Sequence, residues 1–181
     1  MKKIVLPVAF CLIVLGMVWG QESPKTAEDY LSIGLDYFME DNLDKAIEAF
    51  TAAIKIDPKN ATSYNFRSAC YNKKGDFDKA LSDINQAIKI EPNNPYYYCG
   101  RGIIYRSKND FNKALTDFDK AIKLAPTNGL FFEHRGTTYY MKKDYTKAIA
   151  DLEEALRLDP ENDSPASLLE EARQAQSAAK K

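Results

Sequence analysis

A proline recurs every 34 residues through most of this chain, in Asp57-Pro58, Glu91-Pro92, Ala125-Pro126 and Asp159-Pro160. Proline lacks an amide hydrogen and clashes with the preceding helical turn, so each one ends a helix. Counting back from each proline frames four units, 27–60, 61–94, 95–128 and 129–162. They close in register on Asn60, Asn94, Asn128 and Asn162. A fixed period of this length means stacked copies of one supersecondary element, none of which can bury its apolar face alone.

Inside the unit, position 4 is aromatic (Tyr30, Tyr64, Tyr98, Phe132) and position 11 is always tyrosine (Tyr37, Tyr71, Tyr105, Tyr139). Position 8 is small (Gly34, Ser68, Gly102, Gly136), which lets a neighbouring helix approach closely. The spacing 4, 8, 11 places all three on one helical face. A second apolar stripe follows at positions 20, 24 and 27: Ala46, Phe50 and Ala53 in the first unit, and their counterparts beyond. Between the stripes lie Asp41-Asn42, Gly75-Asp76, Asn109-Asp110 and Lys143-Asp144, turn pairs whose Asp and Asn cap the second helix. Each unit therefore reads as helix, turn, helix, stop. After the last proline, Ser164-Pro165 starts a further helix with Ser as its cap. Its narrow stripe of Leu168, Leu169 and Ala172 beside Glu170, Glu171, Arg173 and Gln174 suits a capping helix over 163–181 with a frayed tail.

The aromatic at 4, small residue at 8, Tyr at 11, Ala at 20 and 27, and Pro at 32 resemble the tetratricopeptide repeat family in all four units, over residues 27–162. The resemblance implies an all-α, right-handed superhelical solenoid of four helix-turn-helix units plus the capping helix. It also implies that first helices line a concave groove that binds a protein or peptide. Projected onto this chain, that groove comprises Leu31, Leu35 and Phe38; Asn65, Phe66 and Asn72; Tyr96, Ile103 and Arg106; and Leu130, His134 and Tyr140. Phe66, Tyr96 and Tyr140 are expected to receive apolar anchors, Asn65 and Asn72 to bond a peptide backbone, and Arg106 to take a carboxylate. Leu31, Leu35 and Phe38 are alternatively covered by segment 21–26 or by a neighbouring subunit. Family members that clamp chaperone tails need Lys, Asn, Asn, Lys and Arg at five groove places. This chain has Leu31, Leu35, Phe66, Tyr96 and Gly100 there, or Asn65, Ala69, Gly100, Leu130 and His134 one unit on, which excludes that specificity. In Tyr96-Tyr97-Tyr98, Tyr98 belongs to the repeat core and helical geometry fans the other two onto different faces.

Position 7 departs from the family's Leu-like pattern. It is Arg67, Arg101 and Arg135 in three units, which carry Asp83, Asp117 and Asp151 at position 23; the first unit has Ile33 and Ala49. Partners that are present together or absent together predict three structural ion pairs between the helices of a unit. The alternative is a basic ladder for an anionic ligand.

Lys2 and Lys3 followed by the uncharged apolar stretch from Ile4 to Trp19 describe an export signal, with cleavage expected after Gly20. The alternative is retention of 1–20 as a membrane anchor. Ala9-Phe10-Cys11 fits a lipoprotein box poorly. The chain is thus expected to be exported, periplasmic or secreted. A formal charge of -1 gives no broad electrostatic reason for binding nucleic acid. A single histidine without ligand-spaced Cys or His excludes a recognisable metal site, and no cofactor or catalytic constellation is expected. Cys70 and Cys99, on consecutive first helices, either pair or remain free, Cys70 in the core and Cys99 partly facing the groove. The functional expectation is an exported adaptor without catalysis. Its alternatives are a membrane-anchored subunit of an envelope complex and an accessory to small-ligand transport.

Overall fold

The computed structural model of the protein describes residues 25–179. The apolar segment 1–20, with Cys11, Trp19 and the expected cleavage after Gly20, lies outside the described residues, as do 21–24 and 180–181. Among the described residues every regular element is a helix: α1 Ala27–Met39, α2 Leu43–Ile56, α3 Ala61–Lys73, α4 Phe77–Ile90, α5 Pro95–Ser107, α6 Phe111–Leu124, α7 Gly129–Met141, α8 Tyr145–Leu158 and α9 Ser164–Ala179. None is long and apolar enough to cross a membrane.

Each boundary has a chemical cause. The asparagine that ends one unit caps the next. Asn60 Oδ1 accepts from Ser63 N at 2.9 Å, Asn94 Oδ1 from Tyr96 N at 3.1 Å and Asn128 Oδ1 from Leu130 N at 3.1 Å. Ahead of α9 the last unit's asparagine makes the same kind of contact, Asn162 Oδ1 accepting from Ser164 N at 3.0 Å. Ser164, expected to cap α9, instead donates its hydroxyl to Glu133 Oε1 at 2.7 Å. Second helices are capped by Asn42, Asp76, Asp110 and Asp144, each accepting from the amide three residues on. The residue just before each of these caps turns left-handed: Asp41 (φ 58°), Gly75 (φ 79°), Asn109 (φ 60°) and Lys143 (φ 62°). Only Gly75 adopts that conformation freely, because a Cβ there crowds the following carbonyl. Lys143→Gly is therefore expected to stabilise the protein by about 1 kcal/mol in urea denaturation.

Consecutive helices pack against each other, and first helices also touch the first helices of adjacent units (α1 with α3, α3 with α5, α5 with α7). Second helices make no such alternate contacts, so the solenoid curves with its first helices inside. Phe50 and Phe118 fill two hairpin cores beside Gly34 and Gly102, while Ile84 and Leu152 fill the others beside Ser68 and Gly136. A larger ring at position 24 goes with glycine at position 8, and the lone serine faces an isoleucine.

The tyrosines of positions 4 and 11 are half-buried rather than central. A lysine at position 19 lies over each position-11 ring, at 5.2 to 5.4 Å from its centroid. Greater burial falls on position 3, which faces the preceding unit. Tyr97 packs among Ile84 and Ala87, and Phe131 packs with Phe118 and Cys99.

Candidate functional site

Arginines at position 7 are consumed inside the structure. Arg67 donates Nε to Asp83 Oδ2 at 2.7 Å and Nη2 to Oδ1 at 2.8 Å. Arg101 meets Asp117 at 2.8 Å twice, and Arg135 meets Asp151 at 2.8 and 2.7 Å. Such two-pronged pairs match the planar guanidinium to the carboxylate. The hydrogen bonds to aspartate raise the pKa of all three arginines. The third nitrogen reaches backwards: Nη1 of Arg67, Arg101 and Arg135 donates to Thr51 Oγ1, Asn85 Oδ1 and Asp119 Oδ1 in the preceding unit, at 2.9, 2.8 and 2.6 Å. With every donor arm engaged, these residues offer no basic ladder to an external anion.

The inner row of first helices has three furrows. In the furrow between α1 and α3, Phe66 stacks on buried Phe50 (centroids 5.9 Å, 20°) and meets Phe38 edge-on at 6.1 Å. Leu31 and Leu35 pack against the same cluster. These side chains are half-buried because the first unit's own core covers them, and Phe66 forms a wall there instead of a free anchor. Between α5 and α7, His134 stacks on Phe118 at 5.9 Å, and Arg106 lies over that ring while its Nη1 donates to the His134 carbonyl at 3.2 Å. Burial, with the nearby Arg106 charge, pushes His134 down to about 4, so its imidazole is neutral at physiological pH. Arg106 is itself lowered by burial and forms no ion pair among the described residues. Its neighbour Glu133 is occupied, accepting from Asn162 Nδ2 at 3.2 Å and from the Ser164 hydroxyl.

The middle furrow, between α3 and α5, differs. Gly100 stands where Phe66 and His134 stand in the flanking units, and its missing side chain leaves a notch of about 130 Å³. Asn65 and Asn72 line it, and the buried Oδ1 of Asn72 has no hydrogen-bond partner. Ile103 forms part of the notch wall while also packing toward the Cys99–Phe118 cluster.

Two groove residues remain open to solvent: Tyr96, 55% exposed, and Leu130, 41% exposed. Tyr96 is held edge-on to Phe131 at 5.4 Å and accepts from Asn128 Nδ2 at 3.2 Å. Tyr140 is tied to the capping helix. Its hydroxyl donates to Glu171 Oε2 of the capping helix at 3.3 Å, and its ring lies 5.7 Å from Tyr145. Cys99, expected to face the groove, is buried against Phe118, and Cys70 is buried with Phe50. Both are free, and burial pushes their thiols up to about 12 and about 11, so neither is poised as a nucleophile. Repeat periodicity places Gly100 and Glu133 on the groove face without assigning either a role; comparing position 6 between units, Phe66, Gly100 and His134, carries the signal for the notch.

Models of the tetratricopeptide repeat match residues 27–60, 95–128 and 132–162, and a model described as TPR repeat matches 70–105. Among solved structures the chain is similar to PilF of Pseudomonas aeruginosa, with a TM-score of 0.76 at 19% identity, covering 84% of this chain and 69% of that one. It is also similar to a thermophilic TPR protein, TTC0263 of Thermus thermophilus (TM-score 0.75, 21% identity, 83% of each chain). The TPR domain of Arabidopsis OM64 matches with a TM-score of 0.60 at 26% identity, covering 63% of this chain and 94% of that one. No curated protein sequence matches significantly.

Proposed function

The chain belongs to the tetratricopeptide repeat family, and from that premise we propose that it is an exported adaptor that holds an extended segment of a partner protein along its first helices and catalyses nothing. Repeat proteins of this architecture are protein-interaction scaffolds, since stacking creates an extended concave surface. Export rests on Lys2, Lys3 and the apolar run to Trp19.

The observation that carries the binding reading is Arg106. A guanidinium lowered by burial, stacked on a core ring and lacking a carboxylate, is a group awaiting an anion. A partner carboxylate supplies it with charge-assisted hydrogen bonds of about 1.5–3 kcal/mol. Tyr96 and Leu130 flank the groove with apolar surface for the rest of the segment.

The test is a photoreactive side chain at position 96 of the full chain, which is expected to crosslink a polypeptide. Arg106→Gln should weaken that capture roughly tenfold or more. Capture that is indifferent to both Arg106→Gln and Ile103→Ala would move binding off the inner row.

A further inference from the structure

We propose that the outward face of the first unit binds a second copy of this chain, face to face about a two-fold axis. Each later unit covers this face with the unit before it, and builds it from an Arg–Asp pair whose third nitrogen reaches back across the joint. The first unit has no repeat ahead of it among the described residues. It nonetheless puts Ile33 and Ala49 where the later units carry arginine and aspartate. A solenoid needs a polar outer face at its ends to stay soluble. The far end complies, since α9 turns Glu170, Arg173, Gln174 and Ser177 to solvent. The near end does the opposite: Ile33 and Ala49 lie with the rings of Tyr30 and Tyr37 around an open hollow of about 320 Å³.

Charge at the rim of that hollow selects the occupant. Two further departures of the first unit fall there. Position 16 is Asn42 and not aspartate, so Lys45 lacks the ion pair that Lys79, Lys113 and Lys147 make with Asp76, Asp110 and Asp144. Position 22 is Glu48, where the other units have Ser82, Thr116 and Ala150. Lys45 and Glu48 both line the hollow, both are exposed, and neither forms an ion pair among the described residues. Lys25 adds a second cation on the Tyr30 side. An apolar centre with both signs of charge at its rim is complementary to itself. A two-fold axis would set Glu48 of each copy against a lysine of the other, whereas a uniformly acidic or basic partner would set like charges together. The polar face of α9 closes off head-to-tail stacking, so the contact ends in a pair and not a filament. The chain's own leading residues do not replace the second copy. With cleavage after Gly20, a step that rests on the export reading, only Gln21, Glu22, Ser23 and Pro24 precede Lys25, too few and too polar to bury Ile33. Tyr96, Arg106 and Leu130 belong to later units, so pairing leaves them open and presents two grooves on one particle.

The experiment is sedimentation velocity, over a concentration series, of the protein purified from expression of the full chain. Wild type is expected to approach twice the mass of one chain. Glu48→Lys and Lys45→Glu each set like charges together and should weaken pairing about tenfold or more. An equimolar mixture of these two variants should pair as wild type does, because every rim contact again joins opposite signs. Ile33→Arg combined with Ala49→Asp gives the first unit the pair that three other units already hold, and should yield a folded monomer. A wild-type monomer at every concentration overturns the proposal. So does a dimer that all these variants leave unchanged, or a loss of pairing that the mixture does not rescue. The mass of the denatured chain, measured alongside, tells whether 1–20 were removed. An uncleaved chain whose charge-swapped mixture still pairs overturns the export reading and leaves the dimer standing.

Discussion

Asp117→Ala is expected to destabilise the protein by about 3–5 kcal/mol, because it strands a guanidinium that the fold has largely removed from water. The Asp117 side chain is 6% exposed and Arg101 is 23% exposed, so solvent screens the pair only partly. Both prongs of Arg101 end on that carboxylate, leaving Asn85 as its other partner. Adding Arg101→Leu should recover most of the loss, since an apolar side chain then packs where an unpaired charge stood. The first unit carries the apolar version already, with Ile33 and Ala49 in those places. Urea denaturation of the two single variants and the double variant measures the coupling. Strictly additive losses would show that the pair contributes nothing as a pair.

Two glycines separated by one residue in α5 should respond oppositely to alanine. At Gly102 an added Cβ falls 2.7 Å from Phe118 Cε1 and 2.9 Å from Cζ, and that ring is fully buried with nowhere to swing. Gly102→Ala is therefore expected to cost about 1–3 kcal/mol of overpacking, against a helix-propensity gain of at most about 1 kcal/mol. At Gly100 the nearest atoms are side-chain ones at near-ordinary contact, Asn65 Oδ1 at 3.3 Å and Ile84 Cδ1 at 3.4 Å, so a small shift of the half-buried Asn65 admits the methyl and Gly100→Ala should gain about 0.5–1 kcal/mol. Melting temperatures of the two variants, measured side by side, decide the matter. Equal shifts of the same sign would mean that α5 can move away from α6 as a rigid body.

The hairpins were legible because their signal is repeated: a proline, a tyrosine and a small residue return in phase four times. The Arg–Asp pairing was legible because both partners vanish together from one unit. What escaped was whatever a single hairpin cannot report about its neighbours. Tyr98 fits the repeat pattern better than Tyr97, yet Tyr97 is the one buried, because position 3 faces the second helix of the unit before it. Cys99 sinks into the core for a related reason, since Phe131 arrives from the following unit to cover it. Tyr140 belongs to the capping helix through Glu171, and α9 lies outside the repeat register. Ser164 is the first residue of α9 and not its cap, its amide held by Asn162, which continues the series of unit-ending asparagines.

The backward arm of each position-7 arginine gives the stack a direction. An arginine there needs a predecessor to hold its third nitrogen, and the opening unit, which has Ile33, makes no such demand. At the far end, Glu153 occupies the place that Asp119 holds one unit earlier, and Arg173 of α9 donates to it at 2.8 Å. One terminus thus asks for no hydrogen-bond partner behind it, and the other is already answered. An extra copy of 95–128 spliced into the interior would find a partner for its arginine in the unit before it, whereas one placed ahead of Ala27 would have no described repeat unit behind it to receive that nitrogen.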